Sequence, residues 1–430
     1  MVNEQVFSAI ASEKGAVSDE QVDGLVGDMC PVSDYEGKRV LLIVPDGTRT
    51  APVGLVFKKL FDQLSRATKQ FDVMIALGTH QPMSEAAICN RLEISMEDRT
   101  SQYRDVAFIN HEWDNPQVLK NIGTITKEEI SLLTDGRFAM DVPVEINKRL
   151  YDYDEVIIVG PVFPHEVVGF SGGNKYLFPG VGGPQILNFF HWLGAVVTNP
   201  MIIGNKWTPV RKVVDKAGAL VDIQKKCFCM VVRPDKSLAG LFAGSPEAAW
   251  DHASEVSRPT HITIKNKPFH TVFSCVPPMY EDLWTGGKGM YKLEPVVADG
   301  GELIIFAPHI TEVSVTHGKT MMEIGYHCRD YFLEQWNQFK HYPWGVLAHS
   351  THVRGIGKMV NGNEQCRIKL TIASQIPESV CHQINVGYRD PATINIEDFA
   401  NREDEGVLLV RKAGEMLHQL KHPPEWAARS

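Results

Sequence analysis

Arg39-Val-Leu-Leu-Ile-Val-Pro-Asp46 runs through Gly47-Thr-Arg49 into Val53-Gly-Leu-Val-Phe-Lys-Lys-Leu-Phe-Asp-Gln-Leu-Ser-Arg-Ala67. Phe71-Asp-Val-Met-Ile-Ala-Leu77 follows and ends in Gly78-Thr-His80. The first and last of these segments are apolar runs of strand length, the signature of a strand covered on both faces. The middle segment places Val53, Val56, Phe57, Leu60, Phe61 and Leu64 at the 3.6-residue period of a one-sided helix. The unit is therefore β-α-β. Similar runs at Val106–Asn110 and Val156–Gly160 extend it into a mainly parallel sheet, an α/β fold. Open sheets of this kind bind ligands beyond the carboxyl ends of their strands. Asp46, Arg49, His80 and His165 all fall at such ends.

Around Lys267-Pro268 the pattern starts again. Strands are expected at Thr271–Val276, Glu302–Phe306, Gly345–His349 and Ile384–Val386, with a helix at Phe332–Phe339. A strand-like run at Gly406–Val410 and a helical tail at Arg411–Lys421 close the chain. One core rarely grows past ~250–300 residues, so 430 residues predict two α/β domains, 1–265 and 266–403, with an active-site cleft between them. The tail 404–430 could pack on the first.

The chain is 43% hydrophobic and 22% charged, and its formal net charge is 43 − 52 = −9 with no long single-sign run. That argues against nucleic acid or an anionic membrane as the main partner. The first residues lack a basic segment followed by an apolar one, and no apolar run approaches the ~20 residues of a membrane helix. The eight cysteines are scattered, and the gap between Cys227 and Cys229 is not that of a Cys-x-x-Cys motif. A reduced, cytoplasmic protein is expected.

The densest glycine stretch, Gly160 to Gly183, carries His165 and Lys175, and His191 follows. Glycine lets backbone approach a bound group closely. Pro184 suits the first turn of a helix, and Gln185–Val197 reads as an apolar helix with His191 between Phe190 and Trp192. A core histidine fits that setting, and so does a neutral imidazole ligating a metal. Lys175 is either a surface loop lysine or, if its apolar neighbours bury it, a nucleophilic amine. His80 and His165 are loop histidines able to serve as acid and base on one substrate carbon. Arg49 is suited to clamp a carboxylate or phosphate, or to pair with Asp46. Neither Gly-Gly-Asn-Lys175 nor Gly180-Val-Gly-Gly183 matches a phosphate loop or a dinucleotide fingerprint.

Jointly these motifs resemble the nickel-pincer lactate racemase family of 2-hydroxyacid racemases and epimerases, most strongly over the first domain. Asp46-Gly47-Thr48-Arg49 is similar to the family's Asp-x-Thr-Arg segment. Gly78-Thr-His80 is similar to the segment with one catalytic histidine. His165 to Lys175 is similar to the segment with the second histidine and the lysine tether. The resemblance implies a nickel-pincer nucleotide, a pyridinium mononucleotide whose thio-acyl arms hold Ni(II). Asp46, Gly47, Thr48, Arg49 and Lys175 would bind it, with Lys175 its covalent anchor and His191 the metal's protein ligand. The first domain would hold this cofactor and the second would close over the substrate. One histidine would take the hydroxyl proton, hydride would leave C2 to give a 2-keto acid, and His80 and His165 would serve opposite faces. Separate cofactor-synthesis proteins are implied as partners.

Lys288 in Leu-Trp-Thr-Gly-Gly-Lys288 matches a substrate-carboxylate lysine, and Arg49, Thr285 and Trp336 join it as expected substrate contacts. The lactate-specific pattern has a tyrosine–glutamine pair where Trp284 and Thr285 stand, and commonly an arginine where Gln81 stands. A 2-hydroxy acid bulkier than lactate, such as a sugar acid, is therefore expected. Two rival readings use the same residues. One is a zinc hydrolase or lyase ligated by His80, His165 and His191; the other is a non-catalytic sugar-acid-binding protein.

Overall fold

The structure, a computed structural model, describes residues 5–48 and 50–427, and for Glu425 only the backbone. Arg49 lies outside the described residues. The chain forms two compact units, one of Met1–Phe163, Phe170–Leu187 and Arg211–Thr260, the other of Pro164–Gly169, Asn188–Val210 and His261–Ser430.

The first unit is built on a seven-stranded sheet. Its strands in chain order are β1 (Phe7–Ile10), β2 (Arg39–Pro45), β3 (Gln70–Ala76), β4 (Phe108–Asn110), β5 (Glu155–Pro161), β6 (Gln224–Val232) and β7 (Leu238–Gly244). The spatial order is β1-β7-β6-β5-β2-β3-β4. From β6 through β4 every pairing is parallel, while β7 and β1 add antiparallel at one edge. The apolar runs are buried as parallel strands must be: Val40 through Val44 are 0% exposed. The helix Val53–Leu64 covers them with Val53, Val56, Phe57, Leu60 and Leu64, also 0% exposed. Burying each such side chain stabilises the fold by about 1.5–3 kcal/mol.

The second unit has a five-stranded, wholly parallel sheet: β8 (Phe269–Cys275), β9 (Val297–Ala307), β10 (Lys369–Ser374), β11 (Gly387–Tyr388) and β12 (Val407–Val410). Its spatial order is β11-β10-β9-β8-β12. The mainly parallel α/β class holds in both units.

Three local expectations are corrected. Gly345–His349 is not a strand but part of the helix Trp344–Arg354, whose residues Val346 to Val353 are all buried. Burial on every side removes the polar face that marks a helix in sequence. Ile384–Val386 is a turn before the two-residue β11. The tail is not helical: Leu417–Leu420 is a strand pairing in parallel with Ile262–Lys265. Among the described residues no helix is long and apolar enough to cross a membrane. All eight cysteines are free thiols.

Candidate active site

In the first unit the sheet's carboxyl edge gathers Asp46 and His80 from adjacent strands. Pro45 pairs with Ala76 at the last register position of β2 and β3. The chain then turns so that His80 N–H donates to the Leu77 carbonyl at 3.0 Å, and Gly78 N–H donates to the Gly180 carbonyl at 3.1 Å. His80 Nδ1 lies 2.5 Å from Asp46 Oδ2. Asp46 Oδ1 accepts the Thr48 amide at 3.0 Å and the Thr48 hydroxyl at 2.7 Å. Asp46 is only 6% exposed. Burial alone would raise its pKa, but the His80 imidazole and the two Thr48 donors hold the carboxyl well below the usual range.

Lys175, half-buried, lies in the 3-10 turn Gly173–Tyr176, which packs on β2 and β5. Gly172 and Gly173 take φ of +94° and +59°, a left-handed backbone that explains the paired glycines. A Cβ on Gly160 of β5 would stand 2.4 Å from the Tyr176 ring, so glycine is what lets the turn settle on the strand. Tyr176 Oη donates to the Pro161 carbonyl at 3.0 Å. Arg211, 1% exposed, donates to the Phe170 carbonyl at 2.5 Å and lies 3.9 Å over the Trp250 ring. Arg91 donates to the Pro45 carbonyl at 3.0 Å and the Ala51 carbonyl at 3.2 Å, and so brackets the loop holding Asp46 to Thr48. Its Nη2 is buried without a hydrogen-bond partner among the described residues.

In the second unit, Val167 N–H donates to His165 Nδ1 at 3.1 Å. A backbone amide is always the donor, so the proton of the neutral ring sits on Nε2. The same Nδ1 is 3.3 Å from Glu166 Oε2, so a second proton on the ring would exchange the Val167 amide for this carboxylate. Lys292, 3% exposed, donates to the Pro164 carbonyl just before His165 and to the Glu415 carbonyl at 3.3 Å. His191 sits half-buried within the helix Pro184–Val197 and stacks on Phe190 at 4.8 Å.

Lys288 is 6% exposed, its ammonium 4.5 Å over the Tyr280 ring. The Thr285 hydroxyl donates to Asp282 Oδ1 at 2.7 Å and closes its own helical turn. Trp284 stacks on His349 at 3.7 Å, with His317 4.5 Å away. Burial pushes the His349 imidazole well below its usual pKa, with repulsion from His352, His317 and His191 adding to it. Trp336 stacks on Trp192 at 5.3 Å, next to His191 in sequence. Arg91, Arg211, Lys292 and His349 escaped the sequence reading. Three of them bind backbone carbonyls, which no motif encodes, and His349 lay in a segment expected to be a strand.

Among the described residues no three His, Cys, Asp or Glu side chains gather as a metal cage. The first unit is thus a mainly parallel α/β sheet carrying a carboxylate–histidine pair and a glycine-framed lysine at its carboxyl edge.

A family model for the lactate racemase N-terminal domain matches residues 32–201. The lactate racemase of Thermoanaerobacterium thermosaccharolyticum is 25% identical over 287 residues, 63% of this chain and 60% of that protein. The lactate racemase of Lactiplantibacillus plantarum is 24% identical over 282 residues, 62% of this chain and 59% of that protein. The chain thus spans about 60% of the length of the curated relatives it matches. A crystal structure of a protein from Thermotoga maritima superposes with a TM-score of 0.87 at 31% identity, covering 94% of this chain and 99% of that one. The lactate racemase apoprotein of T. thermosaccharolyticum superposes with a TM-score of 0.67 at 17% identity, covering 97% and 95%, a likeness of fold. The chain belongs to the lactate racemase-like family.

Proposed function

We propose that this protein is a racemase or epimerase that inverts C2 of a 2-hydroxy acid through a 2-keto acid. The observation that carries the reading is the Asp46–His80 contact at the carboxyl edge of the sheet, in a chain of this family. Its relatives are named lactate racemases. The imidazole held by Asp46 accepts the substrate's hydroxyl proton. His165, once it carries a second proton, serves as the complementary donor through Nε2–H, with the Glu166 carboxylate beside Nδ1 to hold the imidazolium. The buried ammonium of Lys288 meets the substrate carboxylate.

The chain's residues fit a nickel-pincer mononucleotide. A protein-only cage is not formed among the described residues, whereas a pincer brings its own sulfur donors and asks the chain for one imidazole, His191. Lys175 offers the amine for a covalent tether. Gly47, where a Cβ would meet nothing within 4 Å, leaves room beside Asp46 and Thr48. The buried Nη2 of Arg91 adds a cation for an anionic group. When bound, the nucleotide would supply a reversible acceptor for the hydride that leaves the substrate's C2. The chain's own work is to fix the carboxylate, hold the protons on named nitrogens and exclude water. Separate synthesis proteins would load the nucleotide. Trp284 and Thr285 point to a substrate bulkier than lactate, such as a sugar acid.

The test is chiral chromatography of a panel of 2-hydroxy acids with protein whose nucleotide adduct is verified by intact mass. Interconversion of a larger acid is expected, without uptake of solvent deuterium at C2. His80→Ala and His165→Ala should each lower the rate about 100- to 10,000-fold. Verified holoprotein that interconverts nothing in the panel would end the proposal.

A further inference from the structure

Asp46 stands beside the proton chemistry, and its two oxygens have divided duties. Oδ1 accepts both Thr48 donors, and Oδ2 meets His80 Nδ1. An ionised carboxylate has no hydrogen to give, so the donor across the 2.5 Å contact is Nδ1–H. The lone pair of the neutral ring is then on Nε2. The side chain of His80 is 36% exposed and that of Asp46 only 9%, so the ring reaches outward from a buried anchor. Backbone bonds at Leu77 and Gly180 fix the loop from which the ring projects.

We propose that Asp46 is the positioning residue of His80: it holds the proton on Nδ1 and thereby presents Nε2 as the proton acceptor. The tautomer assignment stands on geometry alone; its catalytic consequence rests on the racemase reading. Thr48 is part of the device. Its amide and hydroxyl together claim one carboxylate oxygen and leave the other aimed at the imidazole.

Asp46→Asn tests this because the two amide ends are not equivalent. Thr48 presents two donors, so the Asn carbonyl must turn to Thr48 and the NH2 group to His80. An NH2 facing Nδ1 requires a bare Nδ1, which moves the ring proton to Nε2. The side-chain volume barely changes, so folding is preserved while the tautomer inverts.

The full chain is labelled with 15N-histidine without cofactor, and the His80 signals are assigned by their loss in His80→Gln. In wild type the neutral ring should show a protonated Nδ1 and a bare Nε2; in Asp46→Asn the two should exchange. The same pair is then compared in nucleotide-loaded form. Turnover should fall at least ~100-fold with KM moving less than ~3-fold, because the ring remains present but faces substrate with the wrong nitrogen. A bare Nδ1 in wild type, or an unchanged tautomer in the variant, overturns the proposal without needing any activity. If the tautomers exchange as expected but loaded wild type racemises nothing, the Asp46–His80 assignment stands and the racemase reading falls.

Discussion

His111 offers a quantitative test of how the glycine stretch is held. The ring is 1% exposed. Its Nδ1 faces Asn147 Nδ2 at 3.1 Å, and its Nε2 faces the Gly182 carbonyl at 3.0 Å. Asn147 Oδ1 accepts the Arg149 amide at 3.1 Å, which fixes the amide so that its NH2 donates to the ring. His111 is therefore neutral, with its proton on Nε2 and directed at Gly182. Burial pushes its pKa down to about 4, against the partial offset of the Gly182 bond. The unfolded chain titrates near 6.5, so below that pH it binds a proton that the folded state refuses, and stability falls as pH falls towards 4. Each unit is worth about 1.4 kcal/mol, so the loss from pH 7.5 to 5.0 is about 2 kcal/mol from this ring alone.

His111→Gln removes the titration and disturbs both hydrogen bonds, and should cost about 1–3 kcal/mol at pH 7.5. At pH 5.0 the gap between wild type and variant should shrink by about 2 kcal/mol, since only wild type carries the acid penalty. Urea unfolding at the two pH values measures that difference, and the other buried histidines cancel from it. Hydrogen exchange at the Asn147 and Gly183 amides, which bond to Val181 and Glu145, localises it to the glycine stretch. A gap of equal size at both pH values would refute the reasoning that His111 is a buried neutral clamp.

Gly160→Ala would put a methyl 2.4 Å from the Tyr176 ring and displace the turn that carries Lys175; stability should fall by about 1–3 kcal/mol, with less nucleotide adduct by intact mass. Phe57→Ala should cost about 3–5 kcal/mol in chemical denaturation, because the ring is 0% exposed and contacts Tyr103 at 5.2 Å and Phe71 at 6.4 Å. Lys292→Met removes the donor to the Pro164 and Glu415 carbonyls. It should lower kcat more than it raises KM, with a stability loss of about 1–3 kcal/mol in urea titration.

The strands β2, β3 and β5 were legible because burial on both faces leaves an unbroken apolar run. The helix Val53–Leu64 was legible because only one of its faces is buried. The helix Trp344–Arg354 was not, since eight successive buried residues hide the 3.6-residue period. Nor was the strand Leu417–Leu420, whose partner Ile262–Lys265 lies far away in the chain. A run of three or four residues carries too little periodicity to announce a pairing of that range.

The candidate site shows the same division at atomic scale. A β-α-β unit makes β2 and β3 parallel neighbours, so residues just past their ends share one edge of the sheet; that much follows from the apolar pattern. Which atoms meet depends on turn chemistry. His80 reaches Asp46 because Gly78, at φ +57°, lets the chain double back to the Leu77 carbonyl. Asp46 has one oxygen for the imidazole because Thr48 presents both an amide and a hydroxyl to the other. Replacing Thr48 by Val would keep the amide contact and remove the hydroxyl, releasing the carboxylate to rotate. The side chain that sets the geometry of the proton acceptor is thus one that does not ionise, and that is why ionisable residues alone were not enough to find the pair.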